Sequence, residues 1–164
     1  MSFDVTSLTD VLVTRVEANE IIRQLEMLKE SLYKSGDMGF NEALNSGVNN
    51  KLHQVIKDEI VNCQCNSDIG CINTLLQEII DSVNSVKNIK LEVSEEPTGK
   101  MLDKFHKWIK ERTGDVKILD IFVDRGIIGG ARIIYEGKYY DGTLNKKWDQ
   151  IWEEIRTEIF TKIR

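Results

Sequence analysis

The sequence predicts an α+β protein: an N-terminal antiparallel helical bundle, residues 1–88, followed by a small β-α-β-β-(β)-α domain, residues 89–164, that closes on a long C-terminal helix. Two observations predict it. Before residue 88, apolar side chains recur at helical spacing, with Leu8, Leu12, Val16, Ile21, Leu25, Leu28 and Leu32 on one face. After residue 88 the period shortens to two, as in Ile89-Lys90-Leu91-Glu92-Val93, where apolar and charged residues alternate as in a half-buried strand. Charge divides the chain at the same place. Residues 1–88 carry 7 basic and 13 acidic side chains, the remainder 15 and 14, so the two parts differ in surface character.

Residues 5–34 contain neither Gly nor Pro and read as a first helix, which Ser35-Gly36-Asp37 breaks. A second helix is expected over 38–62, with Gly47 weakening its middle and Leu52, Val55, Ile56 and Ile60 as its apolar stretch. A turn containing Cys63 and Cys65 leads to a third helix over 69–86, whose face is Ile72, Leu75, Leu76, Ile79, Ile80 and Val83. Three amphipathic helices of this kind bury their stripes against one another.

In the second half the strand 89–93 leads to the only proline, Pro97, which is tolerated in the first turn of a helix. Met101, Leu102, Phe105, Trp108 and Ile109 mark that helix, ending near Gly114. A strand over 116–123 follows, then one from Ala131 to Tyr135, a turn at Glu136-Gly137, and a short returning strand ending at Asp141-Gly142. The last helix starts at Thr143 and carries Leu144, Trp148, Ile151, Trp152, Ile155, Ile159 and Ile163 on one side. Either Asp141 or Thr143 suits its N-cap.

Composition bounds function. The apolar fraction is 41%, and 30% of residues are charged with a net charge of −5. An acidic protein lacks the basic surface that phosphate backbones require, so nucleic acid is not an expected partner. No apolar run approaches the roughly 20 residues of a membrane span, so direct membrane insertion is not expected. The start, Met1-Ser2-Phe3-Asp4, has no signal-peptide pattern. Three cysteines, Cys63, Cys65 and Cys71, are an odd number, which fits free thiols in a reducing compartment better than a disulfide framework.

The segment Val123-Asp124-Arg125-Gly126-Ile127-Ile128-Gly129-Gly130-Ala131-Arg132-Ile133-Ile134, followed by Asp141-Gly142-Thr143, resembles the signature of the F-type ATP synthase delta subunit and its mitochondrial counterpart, the oligomycin-sensitivity-conferring subunit. The order and spacing of elements agree with that family over residues 88–150. Physically the motif is structural: Asp124, Ile128, Gly129 and Gly130 form a strand entry where paired glycines permit a bulge or close backbone approach, and Asp141, Gly142 and Thr143 form a turn and cap. The resemblance implies a non-catalytic stator connector with no cofactor, one copy per hetero-oligomer. Its implied partners are the N-terminal tails of the alpha subunits, the beta subunits and the peripheral-stalk b subunits. It implies a peripheral location on the cytoplasmic face of the cell membrane. The first 88 residues are short for the helical domain with which the family grips the catalytic head.

Other residues form candidate sites. Cys63, Cys65 and Cys71 are a candidate thiolate set for zinc or an iron–sulfur cluster, with His53 as a distant fourth ligand; the plainer reading is free thiols at a helix–helix turn. His106 lies off the apolar stripe of its helix and is expected to face solvent. Gly126-x-x-Gly129-Gly130 matches neither phosphate-loop pattern. The stripes containing Leu12 and Val16, and Trp152, Ile155, Ile159 and Ile163, are candidate grooves for the alpha tails and the b helices, with core packing as the alternative. Two rival functions remain: the E-type stator subunit of a V/A-type rotary ATPase, and a cysteine-based metal or redox regulator.

Overall fold

The computed structural model describes residues 5–8, 12–65, 68–113, 117–149 and 151. The chain opens on a single 3-10 turn, Val5–Leu8, and α1 runs from Arg15 to Ser46. A helix beginning at residue 5 is therefore corrected. Residues 12–14 are drawn into the sheet, where the Leu119 N–H donates to Val13 O at 2.9 Å. A capping box then starts α1. The Glu17 N–H donates to Thr14 Oγ1, and the Glu17 carboxylate accepts the Thr14 N–H at 2.8 Å. These two bonds satisfy amides that would otherwise be orphaned at the helix start.

The expected break is present: helical geometry is interrupted at Gly36, so α1 is two helical segments joined across a kink. Gly36 takes φ 60, ψ −150, a conformation open to glycine, and the segment after it carries Phe40 and Leu44 into the core. What divides the expected second helix is the sequence Gly47-Val48-Asn49. The Gly47 N–H closes α1 on Ala43 O, and Asn49 Oδ1 accepts the Leu52 N–H at 2.8 Å to start α2, Asn50–Asn62. The third predicted helix is α3, Ile69–Ser85, capped by Asp68, and all six residues of its predicted face are buried. Residues from α1, α2 and α3 share one apolar core with Leu8 and Leu12. Each fully buried leucine there contributes about 1.5–3 kcal/mol relative to exposure.

The second half builds a four-stranded sheet in the order β2-β1-β3-β4, from β1 Asn88–Val93, β2 Ile118–Val123, β3 Ala131–Tyr135 and β4 Lys138–Asp141. β1 pairs parallel with β2 and antiparallel with β3, and β3 pairs antiparallel with β4. The β3–β4 turn places Glu136 and Gly137 at φ 47 and 74, the doubly positive geometry that matches the twist of a two-residue hairpin. Lys87 forms an ion pair with Glu136 beside that turn.

Between β1 and β2 the chain crosses over through α4, Gly99–Thr113. Its first turn closes on Thr98 O, so Pro97 stands before the helix, where its missing N–H costs nothing. Leu102, Phe105 and Ile109 of α4 pack on Ile89, Leu119, Ile121 and Ile133, with Val13 in the same cluster. His106 is buried, which corrects its expected exposure: it follows Phe105 onto the flank of the face that meets the sheet. Within β2, Ile118 enters the helical core and Leu119 the sheet core. A last helix, α5, occupies 144–149.

Candidate functional site

The signature residues meet at one corner of the sheet. As β2 ends, the Asp124 N–H donates to Val93 O at 2.8 Å, and Asp124 then turns the chain. Its Oδ1 accepts the Gly126 N–H at 2.9 Å and its carbonyl accepts the Ile127 N–H at 3.0 Å, the local bonding for which Asp is favoured in turns. Ile127 is buried and Ile128 is exposed. The Ile128 N–H is taken by Asn145 Oδ1 at 2.8 Å, and Asn145 Nδ2 donates to Gly126 O at 3.0 Å. The amides of Gly126, Ile127 and Ile128 are thus occupied from within the protein.

Gly129 and Gly130 bring this loop against the start of α5. The Leu144 N–H donates to Gly129 O at 2.8 Å, and the Gly142 N–H donates to Ala131 O at 2.9 Å. Gly130 has φ +83, and a Cβ there would stand 2.4 Å from Gly142 O and 3.0 Å from Thr143 Cα. The paired glycines and the Asp-Gly-Thr turn are therefore two sides of one backbone contact. At Gly129 the obstacle is softer, the Leu144 side chain at 2.9 Å.

Thr143 is buried and caps α5: its Oγ1 donates to Asp141 Oδ1 at 2.7 Å and accepts the Lys146 N–H at 3.4 Å. Asp141 also accepts the Thr143 N–H at 2.9 Å. The Thr143 hydroxyl and then its backbone N–H hold the Asp141 carboxyl below the usual carboxylate range. The two N-cap candidates thus divide the task, Thr143 capping and Asp141 orienting it. Arg132 links the halves of the motif, 3.0 Å from Asp124 Oδ2, 3.6 Å from Glu92 and 3.9 Å from Asp141. Arg132 and Asn145 were not singled out by sequence reasoning. The signal for Arg132 was its position on the polar side of β3, between two fixed acids. Asn145 gave only a polar residue in a first helical turn.

The interface candidates separate. Leu12 is fully buried in the helical core, whereas Val16 is 78% exposed. They share no stripe, because Leu12 precedes the start of α1. Trp152, Ile155, Ile159 and Ile163 lie outside the described residues. On the described part of the last helix, Leu144, Trp148 and Ile151 are exposed at i, i+4 and i+7, so they share one face.

At the cysteine turn, Cys65 and Cys71 are joined as a disulfide, with Cα atoms 5.3 Å apart, and Cys63 is the free thiol. The expectation of three free thiols is corrected. The count of cysteines argued against a multi-bridge framework but is silent on a single pair brought together by a helix–turn–helix. His53 lies 3.1 Å from Asn45 Oδ1, and among the described residues no group of three or more His, Cys, Asp or Glu side chains could hold a metal ion.

The fold and this corner define a mixed α+β protein whose signature residues close a strand-to-helix contact. The family model of the ATP synthase delta (OSCP) subunit matches residues 4–155, and the chain belongs to that family. It is accordingly a stator subunit of the ATP synthase, a structural component of a membrane-associated complex, and the F-type resemblance holds over the E-type alternative. No individual curated protein matches the sequence. No helix among the described residues is long and apolar enough to cross a membrane.

Proposed function

We propose that this subunit is the non-catalytic joint between the catalytic head and the peripheral stalk of a proton-translocating F-type ATP synthase. The observation that carries this reading is the family match, which runs through both halves of the chain, residues 4–155. Residues 1–88, as an antiparallel bundle, would take the alpha-subunit N-terminal tails and lie beside the beta subunits. Residues 89–164 would take the b subunits, one copy of this chain serving each complex on the cytoplasmic face of the cell membrane. The exposed face of Leu144, Trp148 and Ile151, continued in sequence by Trp152, Ile155, Ile159 and Ile163, suits an amphipathic helix. The role is mechanical: rotation of the central shaft drags the head with it unless a stator holds it, so binding must be tight and at several points.

Removal of the subunit from inverted membrane vesicles tests the proposal. ATP hydrolysis by the released head is expected to persist while proton-driven synthesis is lost, and adding back the purified chain restores it. Synthesis that continues at its full rate without the subunit rejects the joint.

A further inference from the structure

We infer that the Cys65–Cys71 disulfide is a reversible redox clip on α2, with Cys63 as its internal exchange thiol. The bond joins Cys65, in the turn that follows α2, to the first turn of α3. Of the three helices that share the core, α2 has the least other anchorage. It buries only Leu52 and Ile56, whereas α3 buries six side chains. Its N-terminal end is fixed by Asn49, whose side chain caps Leu52 and whose N–H donates to Gln24 Oε1 at 3.1 Å. Its C-terminal end is fixed by the disulfide and by the turn in which the Asp68 N–H donates to Cys65 O at 2.8 Å.

The two sulfurs are unequal. Cys65 is buried in the helical core, while Cys71 is half-buried. Cys63, also half-buried, lines with Cys65, Cys71, Asp68, Thr74 and Glu78 an open cleft of about 400 Å³. An approaching thiolate therefore meets the Cys71 sulfur first. In the internal step the Cys63 thiolate attacks Cys71 Sγ, the Cys63–Cys71 bond forms, the Cys65–Cys71 bond breaks, and Cys65 leaves as a thiolate and takes a proton. In the external step a dithiol attacks Cys71 and then closes on itself. It is oxidised to a disulfide, and its two electrons and two protons leave Cys65 and Cys71 as thiols.

The test uses the full oxidised chain under native conditions, with dithiothreitol as the dithiol, mass spectrometry of alkylated thiols, and amide hydrogen exchange. Reduction is expected to add two alkylation sites, at Cys65 and Cys71, and to raise exchange at the end of α2 and the start of α3 by about tenfold, because the closed loop no longer restricts local opening. Exchange in α4 and the sheet stays the same, and reoxidation reverses the change. Alkylation before reduction labels Cys63 in most molecules and Cys65 in a minority that have exchanged. A Cys65→Ser/Cys71→Ser chain matches the reduced protein, and reduction of the unmodified protein gives the same answer if that variant does not fold. Resistance to dithiothreitol, or reduction with unchanged exchange in α2, overturns the clip. Label confined to Cys63 before reduction overturns the exchange step.

Discussion

The helical core and the glycine corner of the sheet hold together by different physics. The core of α1, α2 and α3 is a volume filled by apolar side chains, mostly aliphatic, whose contribution comes from burial. The corner is a contact between two stretches of backbone, where Gly130 faces Gly142 and Thr143 with no room for a side chain. The core depends on how much is buried, the corner on what is absent. A family signature therefore gathers at the corner, because backbone contact restricts residue identity far more than apolar packing does.

Substitutions separate the two regimes. Phe40→Ala, at a side chain 2% exposed in the helical core, is expected to cost about 3–5 kcal/mol in urea unfolding through lost burial and the cavity left behind. Gly130→Ala adds one methyl group, yet is expected to cost about 2–4 kcal/mol, since the positive φ and the 2.4 Å approach to Gly142 O must both be relieved. Its neighbour sharpens the point: Gly129→Ala meets only the tip of the half-exposed Leu144 and should cost less than about 1 kcal/mol. Equal costs at the two glycines would show that backbone approach is not what the corner requires.

Thr14→Ala removes the capping box of α1 and should cost about 1 kcal/mol, with exchange rising first in the turn following Arg15. The smallest expected effect concerns pH. Asp141 has a lowered pKa in the folded state, so its contribution is present above its unfolded value and is lost as pH falls through the folded one. Asp141→Asn is expected to flatten that part of the acid dependence measured by thermal unfolding. An unchanged acid profile would show that the Thr143 hydrogen bonds do not favour the charged form.

The legibility of the sequence follows the same division. The α3 face, the alternation in β1 and the Glu136-Gly137 hairpin were readable, because each is a short-range pattern whose residues bury or turn locally. The kink at Gly36 and the end of α2 at Asn62 agree with the sequence pattern, whereas the start of α1 and the division at Gly47 do not. An unbroken apolar period from residue 5 conceals that Val13 and Thr14 lie along β2, although Thr14-x-x-Glu17 is a capping signal. At the corner, the participants with restricted identity stood out, whereas Arg132 and Asn145 depend on partners from distant parts of the chain. The Cys65–Cys71 pairing likewise depends on how α3 turns back beside α2.

Consecutive side chains of β2 serve different masters: Ile118 belongs to the helical core and Leu119 to the sheet core. Strand residues alternate sides, so a slip of β2 by one residue against β1 would exchange the occupants of both cores together. Two unlike interiors thus hold one strand in one register, and neither core can be repacked at β2 without disturbing the other.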